Sequence, residues 1–135
     1  MQILKFFPLV LSGFISGIII YQSLLIAPSI NKLLSSQDAS LYLRYIWPKF
    51  FILIGILSLL CFVTISLFNS NQSTAKIFSI LSMVLMIICY LAIPSMNQAK
   101  DSLNESLFMI LHLGSIILTI ITLLMNFSIF IFWKY

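Results

Sequence analysis

The sequence predicts an all-α integral membrane four-helix bundle, built from two pseudo-repeated helical hairpins. Three observations carry that expectation. Of the 135 residues, 61% are hydrophobic and only 7% are charged, whereas soluble domains carry about 25% charged residues. Four apolar stretches, at 6–27, 50–68, 77–93 and 107–132, each approach the ~20 residues that cross a hydrocarbon core of ~30 Å. A Pro-Ser-x-Asn pattern ends the first stretch and recurs at the end of the third.

The length suits one domain, 1–135, with mean hydropathy +1.16. Backbone polar groups have no water to bond inside lipid, so each stretch is expected to be helical. Lys5 precedes the first stretch in the manner of a signal peptide. The apolar run is too long for one and no small-residue cleavage site follows it, so a retained span is expected. Helix two is expected to begin near residue 38, well before its apolar run, with Ser35 and Asp38 as a capping box and Pro48 inside it. It therefore projects beyond the bilayer or tilts. The polar run Asn69-Ser70-Asn71-Gln72 turns the chain into span three, and Ser102 with Glu105 suggests a second capping box opening span four.

The repeat appears when the chain is laid on itself at an offset of 66 residues. Pro28 then falls on Pro94, Ser29 on Ser95 and Asn31 on Asn97, while Gly13 falls on Ser79 and Ser16 on Ser82. Chance matches between apolar residues are cheap, but this polar pattern at equivalent span ends is not, so two hairpins of one orientation are expected. Pro28, Pro48 and Pro94 are each expected to mark a kink or a helix end on the same face.

Small residues form stripes within the spans. Gly13, Ser16, Gly17 and Ser23 in span one, and Ala75, Ser79, Ser82 and Cys89 in span three, allow close helix approach. For Gly13-x-x-x-Gly17 the reading favours packing within the chain over a dimer face. Span four carries Glu105, Phe108, His112, Ser115, Thr119, Thr122 and Asn126 in steps of three and four, all on one face. Such polarity is costly against lipid, so this face should turn inward. A polar cavity is the candidate site: His112, Ser115 and Thr119, with Arg44, Tyr21, Asn31 and Asn97 at the same end. Its histidine either packs against a neighbour or accepts a proton or ligand. Arg44 is expected to reach lipid phosphates or to pair with Asp101 or Glu105.

Several classes are excluded or left without support. The formal charge of +4 is dispersed, with no basic cluster for nucleic acid. Cys61 and Cys89 lack metal-ligand spacing and read as buried thiols. His112 is the only histidine, no Ser-His-Asp set exists, and four glycines form no phosphate-binding fingerprint. Copper(I) on His112, Met109 and Met96 is conceivable by ligand softness, but those methionines read as core filler, so no metal or cofactor is expected. Trp47, Trp133 and Tyr135 fit interfacial belts. Lys5, Lys76 and Lys134 lie on the terminal side, against Lys32, Arg44, Lys49 and Lys100 on the other. That balance hardly orients the chain, and the placement of Arg44 and Lys49 within a helix tips the expectation toward termini inside.

The run Ile46-Trp47-Pro48-Lys49-Phe50-Phe51 is similar to the "LFPKYF"-type signature of the transmembrane protein 205-like family, also known as domain of unknown function 4149. The polar helix start at residues 36–39 and Phe108-x-x-x-His112-x-x-Ser115 resemble the family pattern in the same order, over about the whole chain. Thr119 stands where the family tends to have Asn. The resemblance implies a four-span membrane protein and no established reaction. Three function classes remain: an accessory or self-associating protein of the cell membrane, surrounded by lipid, as a homo-oligomer or within a larger complex; a small transporter or ligand-binding protein using Arg44 and His112; and a membrane-embedded enzyme acting on a lipid or quinone-like substrate.

Overall fold

A computed structural model describes residues 2–134, and the described residues form helices joined by short turns, without strands. Helix α1 spans Gln2–Tyr21, a π turn Gln22–Ile26, and α2 Ala27–Leu33, which together make one continuous rod. Helix α3 spans Ser36–Phe68, α4 Ser73–Asp101 and α5 Glu105–Phe132. Four helices are long and apolar enough to cross a membrane: Leu4–Leu33, Ser36–Phe68, Ser73–Asp101 and Glu105–Phe132. In the bundle, α1 packs on α3 and α5, and α4 packs on the same two, so the four helices form a square. The α1–α5 seam is the loosest of the four.

The π turn has a local cause. Pro28 has no N–H, and its ring would press on the carbonyl four residues back in a regular helix. Here the Ala27 N–H reaches Gln22 O, five residues back, and the chain re-enters α-geometry with Pro28 at the first turn of α2. Pro48 and Pro94 sit inside α3 and α4, and neither ends its helix. The expectation of a kink or end is therefore met by an irregularity at Pro28, while α3 and α4 run on as helix through Pro48 and Pro94.

The connections are tighter than their polarity suggests. The expected long loop between the first two spans is two residues, Leu34 and Ser35. Ser35 caps α3, its Oγ accepting from Asp38 N at 3.1 Å. The second expected capping box does not form. Ser102 closes α4 instead, and Asn104 caps α5 by accepting from Leu107 N at 3.1 Å. Leu103 between them has φ 57°, in the left-handed region, and lets Asn104 N reach Ala99 O at 2.9 Å. At the other end Asn69 Nδ2 donates to Lys5 O (3.0 Å), and Gln72 exchanges two hydrogen bonds with the Lys134 backbone.

Two apolar clusters fill the bundle. Ile15, Ile19, Phe50, Phe51, Ile54, Met86 and Cys89 occupy one level. Leu11, Cys61, Ile65, Ala75, Ile129 and Trp133 occupy the other, nearer the termini. Trp133, expected in an interfacial belt, is buried in this second cluster, because Gln72 holds the adjacent Lys134 backbone against the bundle. Trp47 is half-buried on the first cluster, stacked with Phe51 at 5.7 Å. Tyr135 lies outside the described residues.

Candidate functional site

The inward polar face of α5 divides into two regions. Toward the termini, Thr119, Thr122 and Asn126 are buried; toward the hairpin end, Ser115, His112 and Phe108 are half-buried and Glu105 is exposed. Serine and threonine in a membrane helix can return their hydroxyl proton to a carbonyl three or four residues back. Ser115 does so to His112 O, Thr119 to Ser115 O and Thr122 to Leu118 O, at 2.8, 2.8 and 2.9 Å. These hydroxyls are therefore engaged within α5 itself.

Asn126 is the hub of the interior. Its carbonyl Oδ1 accepts from Ser12 Oγ of α1 at 3.0 Å, and its Nδ2 donates to Ser82 Oγ of α4 at 3.2 Å and to Thr122 O at 2.9 Å. Ser12 Oγ also lies 2.9 Å from Asn126 O, while Ser16 Oγ donates to Ser12 O at 2.9 Å. One amide thus joins three helices with all its main donor and acceptor directions used. Sequence reasoning placed Ser16, Ser82 and Asn126 on packing faces but missed Ser12. The signal was present in the Ser12–Ser16 step of four, which runs beside the Gly13–Gly17 step.

At the hairpin end Arg44 and Asp101 form a bidentate pair, Nη2–Oδ1 at 2.5 Å and Nη1–Oδ2 at 3.1 Å, joining α3 to the end of α4. Asp101 is 63% exposed at its side chain, so the pair contributes orientation more than stability. Lys49 Nζ lies over the Tyr45 ring, and Lys100 Nζ stands 4.8 Å from the Phe108 ring centroid. His112 stacks on Phe108 with ring centroids 5.6 Å apart and planes at 6°. No hydrogen bond to its ring nitrogens occurs among the described residues.

The seven residues of the expected polar cavity are placed as follows. His112, Ser115 and Thr119 share the inner face of α5, and Arg44 is turned to Asp101. Tyr21 and Asn31 are exposed, and Asn97 is half-buried. No hydrogen bond links Arg44, Tyr21, Asn31 or Asn97 to His112 among the described residues. Nor do three or more His, Cys, Asp or Glu side chains converge there. Cys61 and Cys89 are free and buried: Cys61 Sγ donates to Pro8 O at 3.5 Å and accepts from Ser79 Oγ at 3.3 Å.

Two grooves lie on the flanks. A groove of about 340 Å³ is lined by Gly13, Phe14, Gly17, Ile18, Tyr21 and Gln22. A second, of about 230 Å³, lies between α3 and α4 over Gly55 and Met86. Two buried polar atoms have no hydrogen-bond partner among the described residues, Ser58 Oγ and Gln22 Nε2, and the second belongs to the lining of the α1 groove.

No curated protein and no solved structure matches the chain. A family model, domain of unknown function DUF4149, matches residues 10–100. That stretch runs from α1 through nearly all of α4, including the aromatic run at 46–51, and leaves α5 with His112 and Asn126 outside it. With about two thirds of its length matched, this chain belongs to the DUF4149 family.

Proposed function

We propose that this chain is a multi-pass protein of the cell membrane that works by associating with other membrane-embedded chains, as an accessory or packing protein, rather than by transforming a substrate. The observation that carries the reading is the direction of its unused surface. Asn126, Ser12 and Ser82 satisfy one another inside, whereas the grooves at Gly17 and Gly55 open sideways, toward lipid or another helix. Small residues on an outer face are what close helix association in lipid requires. The kinship with transmembrane protein 205-like proteins rests on residues 46–51, inside the matched stretch, and on Phe108, His112 and Ser115, outside it.

The repeat of two hairpins belongs to the same proposal. It is supported by Ser16 and Ser82, equivalent at the 66-residue offset and both buried beside the hub. The ungapped register drifts at the corners, where Ser35 caps one helix and Asn104 the other, 69 residues apart. The drift arises after the prolines: α4 runs two residues further past Pro94 than α2 does past Pro28, and the corner that follows α4 is one residue longer.

Both termini are assigned to the cytoplasmic side. Gln72 is buried against Lys134 and makes a poor reporter, so the exposed neighbour Asn71 is the site to label. Asn71→Cys, in a chain whose Cys61 and Cys89 are replaced by alanine, should resist an impermeant maleimide in intact cells and react after lysis. Labelling in intact cells reverses the orientation.

A second reading, a ligand-binding protein with a polar cavity around Arg44 and His112, is favoured by the imidazole's lack of a hydrogen-bond partner among the described residues. Extraction into lipid nanodiscs followed by native mass measurement separates the two. Association gives particles holding more than one polypeptide, unchanged by His112→Ala. A single polypeptide carrying a stoichiometric small molecule, lost in His112→Ala, replaces the association reading with ligand binding.

A further inference from the structure

We infer that the groove between α3 and α4 seats an acyl chain of an anionic phospholipid whose phosphate rests on Lys49. The inference goes beyond the association reading, which keeps the α1 groove for another helix. The groove is the first observation. Phe51, Gly55 and Leu59 of α3 line it with Met86 and Tyr90 of α4, and no lining residue is charged. A Cβ on Gly55 would meet Met86 Cβ at 3.8 Å, an ordinary contact. Packing of the two helices therefore does not require glycine at 55, and the missing side chain leaves the groove open.

The second observation is the charge at its mouth. Lys49 directly precedes the apolar run that starts at residue 50. It stands three residues before Ile52 and seven before Ile56, both in the groove lining, and those steps put it on the same face of α3. It is exposed, with its Nζ over the Tyr45 ring. No carboxylate pairs with it among the described residues, and Asp101 is taken by Arg44. Leu59 lies ten residues on, about 15 Å along the helix axis. That is half of a hydrocarbon core of ~30 Å, so the groove and its lysine together match one leaflet.

The prolines are the third observation. Pro48 precedes Ile52 by four residues and Pro94 follows Tyr90 by four, so both share the groove face at its hairpin end. Neither has an N–H, so the carbonyls of Arg44 and Tyr90 lack the donor that a helix supplies. A headgroup with hydroxyls, such as glycerol, brings donors to them, and its phosphate brings the charge that Lys49 lacks. A second copy is the poorer occupant. Copies of one orientation pair about a two-fold axis along the membrane normal, which would set Lys49 toward Lys49 at equal depth.

The test reconstitutes the purified chain in nanodiscs of equal parts phosphatidylglycerol and phosphatidylcholine. Native mass measurement then reads which lipid leaves the disc with the polypeptide. Phosphatidylglycerol should exceed phosphatidylcholine about fivefold, which is the ~1 kcal/mol usual for one lysine near an anionic surface. Lys49→Gln should equalise the two, and Lys32→Gln, exposed on α2 at the same end, should leave the preference unchanged. Gly55→Leu, which fills the groove, should reduce retention of both lipids. Thermal unfolding of each variant, monitored by circular dichroism, checks that the chain still folds. Should Gly55→Leu fail that check, Lys49→Gln carries the result. Equal retention by the unaltered chain overturns the site, and a preference that survives Lys49→Gln overturns the assignment of the headgroup. Particles of several polypeptides that fall to one in Gly55→Leu give the groove to another helix, which overturns the lipid as occupant and leaves the association reading standing. The lipid preference is read from particles of any size, so the two readings fail separately.

Discussion

Replacing Asn126 with leucine should destabilise the bundle by about 1–3 kcal/mol, the usual consequence of leaving buried polar partners unmet. The amide holds Ser12 of α1 and Ser82 of α4 together, and it is 1% exposed. Leucine has the same number and branching of side-chain heavy atoms and is the bulkier of the two, so no cavity forms. Interhelical hydrogen bonds in membranes average only about 0.6 kcal/mol, and the serines can turn back to their own helices, which keeps the effect below that of a core cavity. The diagnostic is the combined variant Ser12→Ala, Ser82→Ala, Asn126→Leu. With every partner removed, most of the lost stability should return. Reversible unfolding in mixed micelles gives all three numbers. A triple variant weaker than the single one would mean that the hub is not the source of the effect.

The spans were legible because lipid requires long apolar helices, and each expected stretch lies inside one of the four long rods. The Ser35 cap was legible for the same local reason that makes all such caps readable: a serine three residues before an acid at a helix start. Ser102 with Glu105 carried the same pattern and misled, since a left-handed Leu103 consumed Ser102 in closing α4 and passed the cap to Asn104. Nothing in the side chain of a leucine announces that conformation.

Helix facing was harder to read. In a soluble helix, polarity marks the outside; here both sides are apolar, and only small and polar residues hint at direction. In α1 two candidate faces lie one residue apart. Ser12–Ser16 turns inward with Leu11, Ile15 and Ile19, while Gly13–Gly17 turns toward the outer groove. The choice between them depends on Asn126, which lies 114 residues away from Ser12 in the chain. The expected cavity around His112 drew on the polar stripe of α5 for His112, Ser115 and Thr119 and on depth for the other members. Of the partners expected for Arg44, Asp101 is the one it meets.

Phe51→Ala should have the largest effect of any single substitution in the aromatic run at 46–51, a loss of about 3–5 kcal/mol. Phe51 is 4% exposed and packs with Trp47, Phe50, Ile54 and Met86 in the first apolar cluster. Its ring stands 5.5 Å from Phe50 and 5.7 Å from Trp47, within the range of favourable aromatic pairs. In lipid the transfer contribution shrinks, because a ring leaving the core enters another apolar phase, but the cavity and the lost dispersion contacts remain. Lys49, exposed two residues earlier in the run, should tolerate alanine with a change below about 0.5 kcal/mol. That contrast decides what the run is for. Its apolar members wedge α3 against α1 and α4, so a large loss at Phe51 beside near-neutrality at Lys49 assigns it to packing. A folded Phe51→Ala chain of unchanged stability would instead place that ring outside the core and remove the structural account of the run.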